Sequence, residues 1–136
     1  MIEIKKLNKS EKLWKLYYAD RKFSDYIRKR DGECQRCHRK DRPLQNSHFW
    51  DRQWWATRFD PDNCCALCAW CHTLDRDSWQ EDRLGEYKDF MLKKLGKKKY
   101  GNLKVKHYKE VKKRNAILKL MSWLSDPVRV DDNEIT

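Results

Sequence analysis

The residues of this chain best suited to chemistry include two pairs of cysteines at the spacing of metal ligands. Cys34 and Cys37 form the first Cys-x-x-Cys pair, and Cys68 and Cys71 form the second. Four thiolates in two close pairs are typical ligands of a tetrahedral structural zinc ion. We therefore predict one Zn²⁺ site that joins two distant stretches of chain and holds the polar residues between them in a fixed frame.

The positive charge of the chain is concentrated in one segment. The net charge is +11, and residues 93–114 contain 11 Lys and Arg but one acidic residue, Glu110. Such a block predicts a polyanionic partner, most often nucleic acid. The alternative is a solvated helix face on which lysine maintains solubility. The candidate nucleic-acid contacts are Lys97, Lys98, Lys99, Lys104, Lys106, Lys109, Lys112, Lys113 and Arg114.

Two histidines and an asparagine accompany the cysteine pairs. A neutral histidine can take a proton from an attacking water, and a divalent metal can stabilise a phosphate and its leaving oxygen. We predict that His48 is the base and that His72 ligates a catalytic Mg²⁺ or Mn²⁺. Asn63 can provide a hydrogen bond that orients the ring of His48, because the tautomer is otherwise undefined. Together these groups could hydrolyse a phosphodiester.

These motifs resemble the His-Asn-His pattern of the HNH (ββα-metal) endonucleases. The resemblance is carried by Ser47-His48, by Asn63 and by Cys68-x-x-Cys71-His72, and it covers about residues 23–77. A wider set of residues is similar to the phage NinG (Rap) recombination nucleases, which act on branched DNA. That set comprises Phe23-Ser24-x-Tyr26, both cysteine pairs, Ser47-His48-Phe49, Arg58-Phe59-Asp60-x-x-Asn63 and residues 87–96.

The resemblance implies that His48 activates water, that Asn63 holds His48, and that His72 binds the catalytic metal. Many HNH enzymes place Asp or His just before the base as a second metal ligand, where this chain has Ser47. Three interpretations stay open. Ser47 ligates weakly, or His72 acts with waters and the substrate phosphate, or another acid serves, for which Asp75 is the best candidate. Arg58 is a candidate clamp for the phosphate.

The elements that position these residues predict an α+β fold. Ser10 and Ser24 can cap two short helices, the second closed by Asp31 and Gly32. We expect strands at residues 43–49 and 64–67, a turn at 60–63, and a knuckle that runs into a helix from 68 to about 76. This order gives a small zinc-stapled ββα-metal (His-Me finger) core with additional N- and C-terminal helices.

The C-terminal part is expected to be helical and lysine-rich. Asp77 can cap a helix, Gly96 and Gly101 bound a hinge, and a last helix runs over residues 106–124. Its apolar face either docks on the core or pairs with a second copy in a homodimer; it consists of Ile117, Leu120, Met121 and Leu124. We divide the chain into an HNH nuclease domain with the four-cysteine zinc site, 1–96, and a lysine-rich helical extension with a short acidic tail, 97–136.

Several motifs also have other interpretations. Both pairs read Cys-x-x-Cys-His, the attachment motif of c-type haem, but a dihaem cytochrome would leave Asn63 and the lysine block unexplained. Cys64 and Cys65 are expected to be buried thiols, with a swap into the zinc site as the alternative. The tryptophans between the pairs either fill the core, which we favour, or stack on unpaired bases; they are Trp50, Trp54 and Trp55.

We therefore expect a metal-dependent DNA endonuclease, with branched or recombination intermediates as candidate substrates. The alternative is a non-catalytic, zinc-stabilised DNA-binding module with a degenerate HNH site, an interpretation that Ser47 favours. The sequence shows no apolar stretch of the length of a signal peptide or a membrane span. We expect a cytoplasmic protein with no membrane partner, located in the host cytoplasm if the chain is phage-encoded.

Overall fold

A two-stranded antiparallel sheet lies at the centre of the fold. The computed structural model describes the backbone of residues 9–125 and the side chains of residues 15–125. Strand β1 (Leu44–His48) pairs with β2 (Cys64–Cys68), so that His48 lies opposite Cys64 and Leu44 opposite Cys68. The connection contains a short helix, α2 (Trp55–Arg58), and a 3₁₀ turn (Pro61–Asn63). The predicted strands, the predicted turn and the mixed α+β class are confirmed.

The helix expected after the second strand is much shorter than predicted. Only a five-residue π-helical turn, Trp70–Leu74, follows β2. Main-chain hydrogen bonds then draw the next residues back across this turn, from Trp79 N to the Cys71 carbonyl at 2.9 Å and from Gln80 N to the His72 carbonyl at 3.2 Å. The chain therefore turns over the second knuckle and cannot extend it as a helix.

The N-terminal region is one long helix and not the predicted pair. Helix α1 runs over Lys9–Asp31 without a break, so Ser24 lies inside it and caps nothing. Ala19, Phe23 and Ile27 are four residues apart and at most 1% exposed, and they form one continuous stripe. Burial of that stripe outweighs the local preference of serine for a cap. Gly32, at φ +70°, ends the helix as expected. The predicted cap at Ser10 lies outside the described side chains.

The next helix begins later than the sequence predicts. Helix α3 spans Glu86–His107, and the cap expected at Asp77 does not form. Asp82 replaces it, since its two carboxylate oxygens accept from Tyr87 N at 2.8 Å and from Lys88 N at 3.0 Å. Gly96, at φ 80° and ψ 163°, kinks α3, whereas Gly101 stays helical. The predicted hinge is therefore a single kink.

The last helix docks on the same chain. Helix α4 spans Lys113–Leu124, seven residues shorter at its start than predicted. Ile117 and Leu120 are buried with Phe23 and Ile27 of α1, and Met121 and Leu124 pack at the margin of this cluster. The apolar face of α4 is thus covered intramolecularly, which favours the first of the two predicted alternatives for this face. None of the helices within residues 9–125 combines the length and the apolar character needed to cross a membrane.

Candidate functional site

The four cysteines of the two pairs converge on one point. The sulfur atoms of Cys34, Cys37, Cys68 and Cys71 all lie within 4.8 Å of one another, and the Cys37 and Cys68 sulfurs are 3.9 Å apart. A tetrahedron with zinc–sulfur bonds of about 2.3 Å has edges of about 3.8 Å. The donor set and its spacing therefore fit a metal ion such as zinc. Burial opposes ionisation of Cys34, but main-chain hydrogen bonds to its sulfur outweigh it and lower its pKa to about 7.

A charged network braces this cysteine cluster. Arg36, between the first two cysteines, donates to the Asp75 carboxylate at 2.9 Å and to the Glu86 carboxylate at 3.4 Å. Trp79 donates to the same Glu86 oxygen at 3.3 Å. Asp75 therefore neutralises Arg36 at the knuckle and links it to the turn of His72. Because this ion pair occupies one of the two carboxylate oxygens, the role of Asp75 as a ligand of a catalytic metal stays a prediction.

Cys64 and Cys65 take no part in the cluster. Both are fully buried free thiols on β2. Burial raises the pKa of Cys65 to about 12 and that of Cys64 well above its usual value. Protonated thiols in an apolar core are inert, so the prediction of buried thiols is confirmed.

His48 ends β1 with its ring held by a main-chain carbonyl. Its Nε2 lies 2.9 Å from the Arg58 carbonyl oxygen. A carbonyl only accepts hydrogen bonds, so the neutral ring carries its proton on Nε2 and its lone pair on Nδ1. Burial lowers the pKa of His48 to about 4, and the charges of Arg52 and Arg58 act in the same direction. His48 is therefore a neutral imidazole near pH 7, with Nδ1 as its proton acceptor.

Asn63 acts on His48 through the intervening loop and not by direct contact. Its side-chain oxygen accepts from Trp50 N at 2.9 Å, and its amide donates to the Trp50 carbonyl at 2.8 Å and the Thr57 carbonyl at 3.1 Å. Asn63 is completely buried, so these bonds lock residues 50–57 in place. That loop presents the Arg58 carbonyl to His48. The predicted hydrogen bond from Asn63 to the ring is therefore corrected to this indirect role.

His72 has the complementary tautomer. Its Nδ1 lies 2.8 Å from the side-chain oxygen of Gln45 on β1. With the amide oxygen as acceptor, Nδ1 carries the proton and Nε2 keeps a lone pair. Burial and then the charge of Arg52 lower the pKa of His72, which also favours the neutral, ligating form. Gln45 was not predicted from the sequence, and no local signal marks it as the partner of His72.

Ser47 points into the core. Its hydroxyl lies 3.0 Å from the hydroxyl of Tyr87, and the serine is 2% exposed. Alternation along β1 places neighbouring residues on opposite faces, so Ser47 and His48 diverge. Ser47 is corrected from a weak metal ligand to a core residue. Within residues 15–125, the four cysteines are the one group of three or more His, Cys, Asp and Glu side chains close enough to hold a metal.

Arg58 is a buried structural residue and not an available phosphate clamp. Its guanidinium makes a two-point ion pair with Asp20 of α1, at 3.1 and 2.7 Å, and donates to the Arg52 carbonyl at 3.0 Å. The ring of Trp55 lies 4.6 Å from it. Arg52 is instead the exposed cation near the site, because its charge acts on both His48 and His72. The sequence does not distinguish the two arginines.

The predicted lysine contacts line α3, the following turn and α4. Lys106 is engaged by Asp60, at 2.6 Å, and Lys113 lies 6.0 Å from the ring of Trp55. The exposed members of the set are Lys97, Lys98, Lys99, Lys104, Lys109 and Lys112, and the half-buried ones are Lys106, Lys113 and Arg114. The segment is thus a largely solvent-exposed cationic surface, as a nucleic-acid contact requires.

Two of the three tryptophans are half-buried and pack against α3. The ring of Trp50 stacks on His107 at 4.5 Å, and the ring of Trp54 meets His107 edge-on at 4.8 Å. These contacts fix the loop after β1 against α3. The packing interpretation therefore holds for Trp50 and Trp54, while Trp55 lies beside Arg58 at the edge of a groove.

The haem interpretation conflicts with the geometry. Each haem would need its own cysteine pair, whereas the two pairs meet in one cluster. His38, the residue after the first pair, has an exposed side chain that contacts the Glu33 carboxylate at 2.8 Å.

In comparisons with protein-family profiles, curated proteins and solved structures, nothing matches this chain.

Proposed function

We propose that this protein is a metal-dependent endonuclease that hydrolyses DNA phosphodiesters, with His48 as the general base. The observation that carries the proposal is the pair of fixed tautomers. His48 offers Nδ1 as a proton acceptor because Nε2 binds the Arg58 carbonyl, and His72 offers Nε2 because Nδ1 binds Gln45. A base and a metal ligand, each held neutral by burial, are what water-activated hydrolysis requires.

His48 would take the proton from the attacking water at Nδ1. A base with a pKa of about 4 is unprotonated at pH 7, so the entire population is competent. A base of such low pKa has little tendency to take a proton from ordinary water. A nearby cation that lowers the pKa of the attacking water would offset this. Arg52 would contact the phosphate; its support is that it is exposed and that its charge lowers the pKa of both rings.

The catalytic cation would be held by His72 Nε2 together with waters and the substrate phosphate. Ser47 is buried against Tyr87 and one oxygen of Asp75 pairs with Arg36, which supports this one of the three interpretations. A bound divalent cation would stabilise the charge that develops on the phosphate and the leaving oxygen. Since imidazole is a softer donor than carboxylate or water, we expect Mn²⁺ to support activity better than Mg²⁺.

The cysteine cluster would hold a structural zinc ion. It ties the turn after α1 to the turn that carries His72, and Arg36 extends that link to α3. Exposed lysines on α3 and beyond would supply phosphate affinity that does not depend on sequence. Binding should therefore weaken steeply as salt is raised.

A second candidate is a zinc-stabilised DNA-binding module without catalysis. The observation that favours it is the burial of Ser47 against Tyr87 and the pairing of one Asp75 oxygen with Arg36, which leaves few predicted donor atoms for a catalytic metal. Under this alternative, His48 serves only to pack the hairpin against α1.

One cleavage assay separates the two candidates. Supercoiled plasmid, linear duplex and a four-way junction are incubated with Mn²⁺, Mg²⁺ or no added metal. The parent protein is compared with His48→Ala and with the control His38→Asn, which alters an exposed histidine at a left-handed φ that asparagine tolerates. Metal-dependent cutting lost in His48→Ala and kept in His38→Asn supports the nuclease. No cutting by the parent on any substrate, with salt-sensitive binding intact, refutes it in favour of the binding module.

A further inference from the structure

A groove of about 370 Å³ opens between α2, the turn after α3 and α4. Its lining combines aromatic rings, lysines and one acid, Asp60, which forms an ion pair with Lys106 at 2.6 Å. We call the aromatic residues Trp55, Phe59 and Trp123 the floor, and the polar residues Lys109, Lys119 and Asn115 the rim. Neither the zinc cluster nor the two histidines use this groove.

The groove is preformed. The ring of Phe59 meets Phe23 edge-on at 5.7 Å, and the ring of Trp123 meets Tyr26 edge-on at 4.9 Å. Both partners belong to α1, so the floor is fixed by the packing of α1 against α4. Rigid aromatic walls lose little freedom when a ligand binds, which favours affinity.

The chemistry of the lining selects the occupant. A free phosphate would contact the lysines but leave the aromatic floor exposed to water. An apolar peptide would cover the floor but desolvate Lys109 and Lys119. A nucleotide has a flat ring for the floor and a phosphate for the rim, and the volume lies within the range of ligand pockets. Asn115 adds an amide at the rim that can both donate to and accept from a base edge.

The groove also neighbours the candidate base. Phe59 directly follows Arg58, whose carbonyl holds the His48 ring. Lys109 belongs to the basic segment, so a polyanion bound along that segment would pass the groove. A base stacked inside a duplex cannot enter a groove of this kind, and the nucleotide must therefore be unstacked.

We propose that this groove binds one unstacked nucleotide of a DNA strand, with its base on the aromatic floor and its phosphates on Lys109 and Lys119. The inference rests on the proposed nucleic-acid function and adds a substrate feature to it. The protein should therefore bind a strand with unpaired bases more tightly than a sugar-phosphate strand of equal charge that lacks bases.

The test measures binding without cleavage, in the full chain carrying His48→Ala and with no added divalent metal. The probes are a ten-nucleotide oligothymidylate and an abasic deoxyribose-phosphate strand of equal length and charge. We expect about tenfold tighter binding of the oligothymidylate by fluorescence anisotropy, the effect of stacking one base. Equal affinities for the two probes would overturn the proposal.

Two rim variants locate the effect. Lys119→Glu repels the phosphate that would hold the base in the groove, whereas the abasic strand can bind elsewhere along the lysines, so the preference for the oligothymidylate should fall to about twofold or less. Lys98→Glu changes the net charge equally, at an exposed position of α3 outside the groove lining, and should weaken both probes alike. An unchanged preference in Lys119→Glu would refute the groove as the base site.

A competing occupant is tested in the same assay. Residues 126–136 follow Ser125, the last residue that the structure describes, and carry a net charge of −3. If a peptide of that sequence displaces the oligothymidylate but not the abasic strand, the groove belongs to the acidic segment and the proposal fails. Because this assay measures binding and not cleavage, failure of the groove proposal leaves the nuclease proposal standing. Absence of cleavage in the separate nuclease assay likewise leaves the groove result intact.

Discussion

Replacing Arg58 tests whether this arginine supports the fold or contacts substrate. Its side chain is 9% exposed, and its two-point ion pair with Asp20 joins α2 to α1. Removing one partner of a buried ion pair costs about 3–5 kcal/mol, because the other charge stays behind unpaired. The Asp20 side chain is 22% exposed and can regain some water, so we expect the lower end, about 3 kcal/mol, for Arg58→Ala.

The assay is thermal unfolding followed by circular dichroism, with Arg52→Ala as the matched control. At about 4 °C per kcal/mol for a chain of this length, Arg58→Ala should lower Tm by roughly 10 °C. Arg52 is exposed, so Arg52→Ala should keep the parental Tm within about 2 °C but weaken DNA binding and cleavage. Arg58→Ala with the parental Tm and lost DNA binding would refute this reasoning and restore Arg58 as the phosphate clamp.

Three other predictions follow from the site. Gln45→Ala should release the His72 ring and weaken Mn²⁺ binding about 10- to 100-fold in a calorimetric titration, and an unchanged affinity would contradict the tautomer argument. The folded-state pKa of His48 is depressed to about 4, so the unfolded chain binds more protons between pH 4 and 6.5. The stability due to neutral His48 is thus complete above pH 6.5 and is lost as pH falls toward 4. Denaturant titrations of the parent should show a free energy of unfolding that falls over this range, and His48→Gln should reduce that fall. Identical pH profiles for the two proteins would contradict the prediction. Cys37→Ser should lose the metal, read by elemental analysis, and melt at lower temperature than the parent, since zinc binding and folding are coupled; a parental Tm would refute the structural-zinc assignment.

Local signals were sufficient for several elements. The four clustered cysteines could be identified because Cys-x-x-Cys is a local turn whose geometry brings two sulfurs together. The strands at residues 44–48 and 64–68 and the turn before the second strand follow from nearby residue types. The apolar face of α4 follows from helical periodicity, which is also local.

The partner of each side chain could not be read in this way. Ser47, Asp75 and Arg58 were predicted to serve the site, and each is engaged by a residue 38 to 40 positions away in sequence. Such partners exist only after α1 has packed on α2, β1 on α3, and the two cysteine turns on each other. The same holds for α1, where the local cap signal at Ser24 yields to a buried stripe that only the packed hairpin and α4 create.

The sequence by itself determined the cysteine quartet, the strand–turn–strand segment that carries His48 and Asn63, and the clustering of positive charge, because each depends on residue type and short spacing. Only the tertiary structure decided which nitrogen of each histidine carries the lone pair, since the Arg58 carbonyl and Gln45 reach the rings from other parts of the hairpin and its loop. It also decided that Asn63 affects His48 through the loop backbone, and that Arg52 is exposed whereas Arg58 is buried. Hydrogen bonds and burial are fixed by what packs together, and that depends on contacts between residues far apart in the chain.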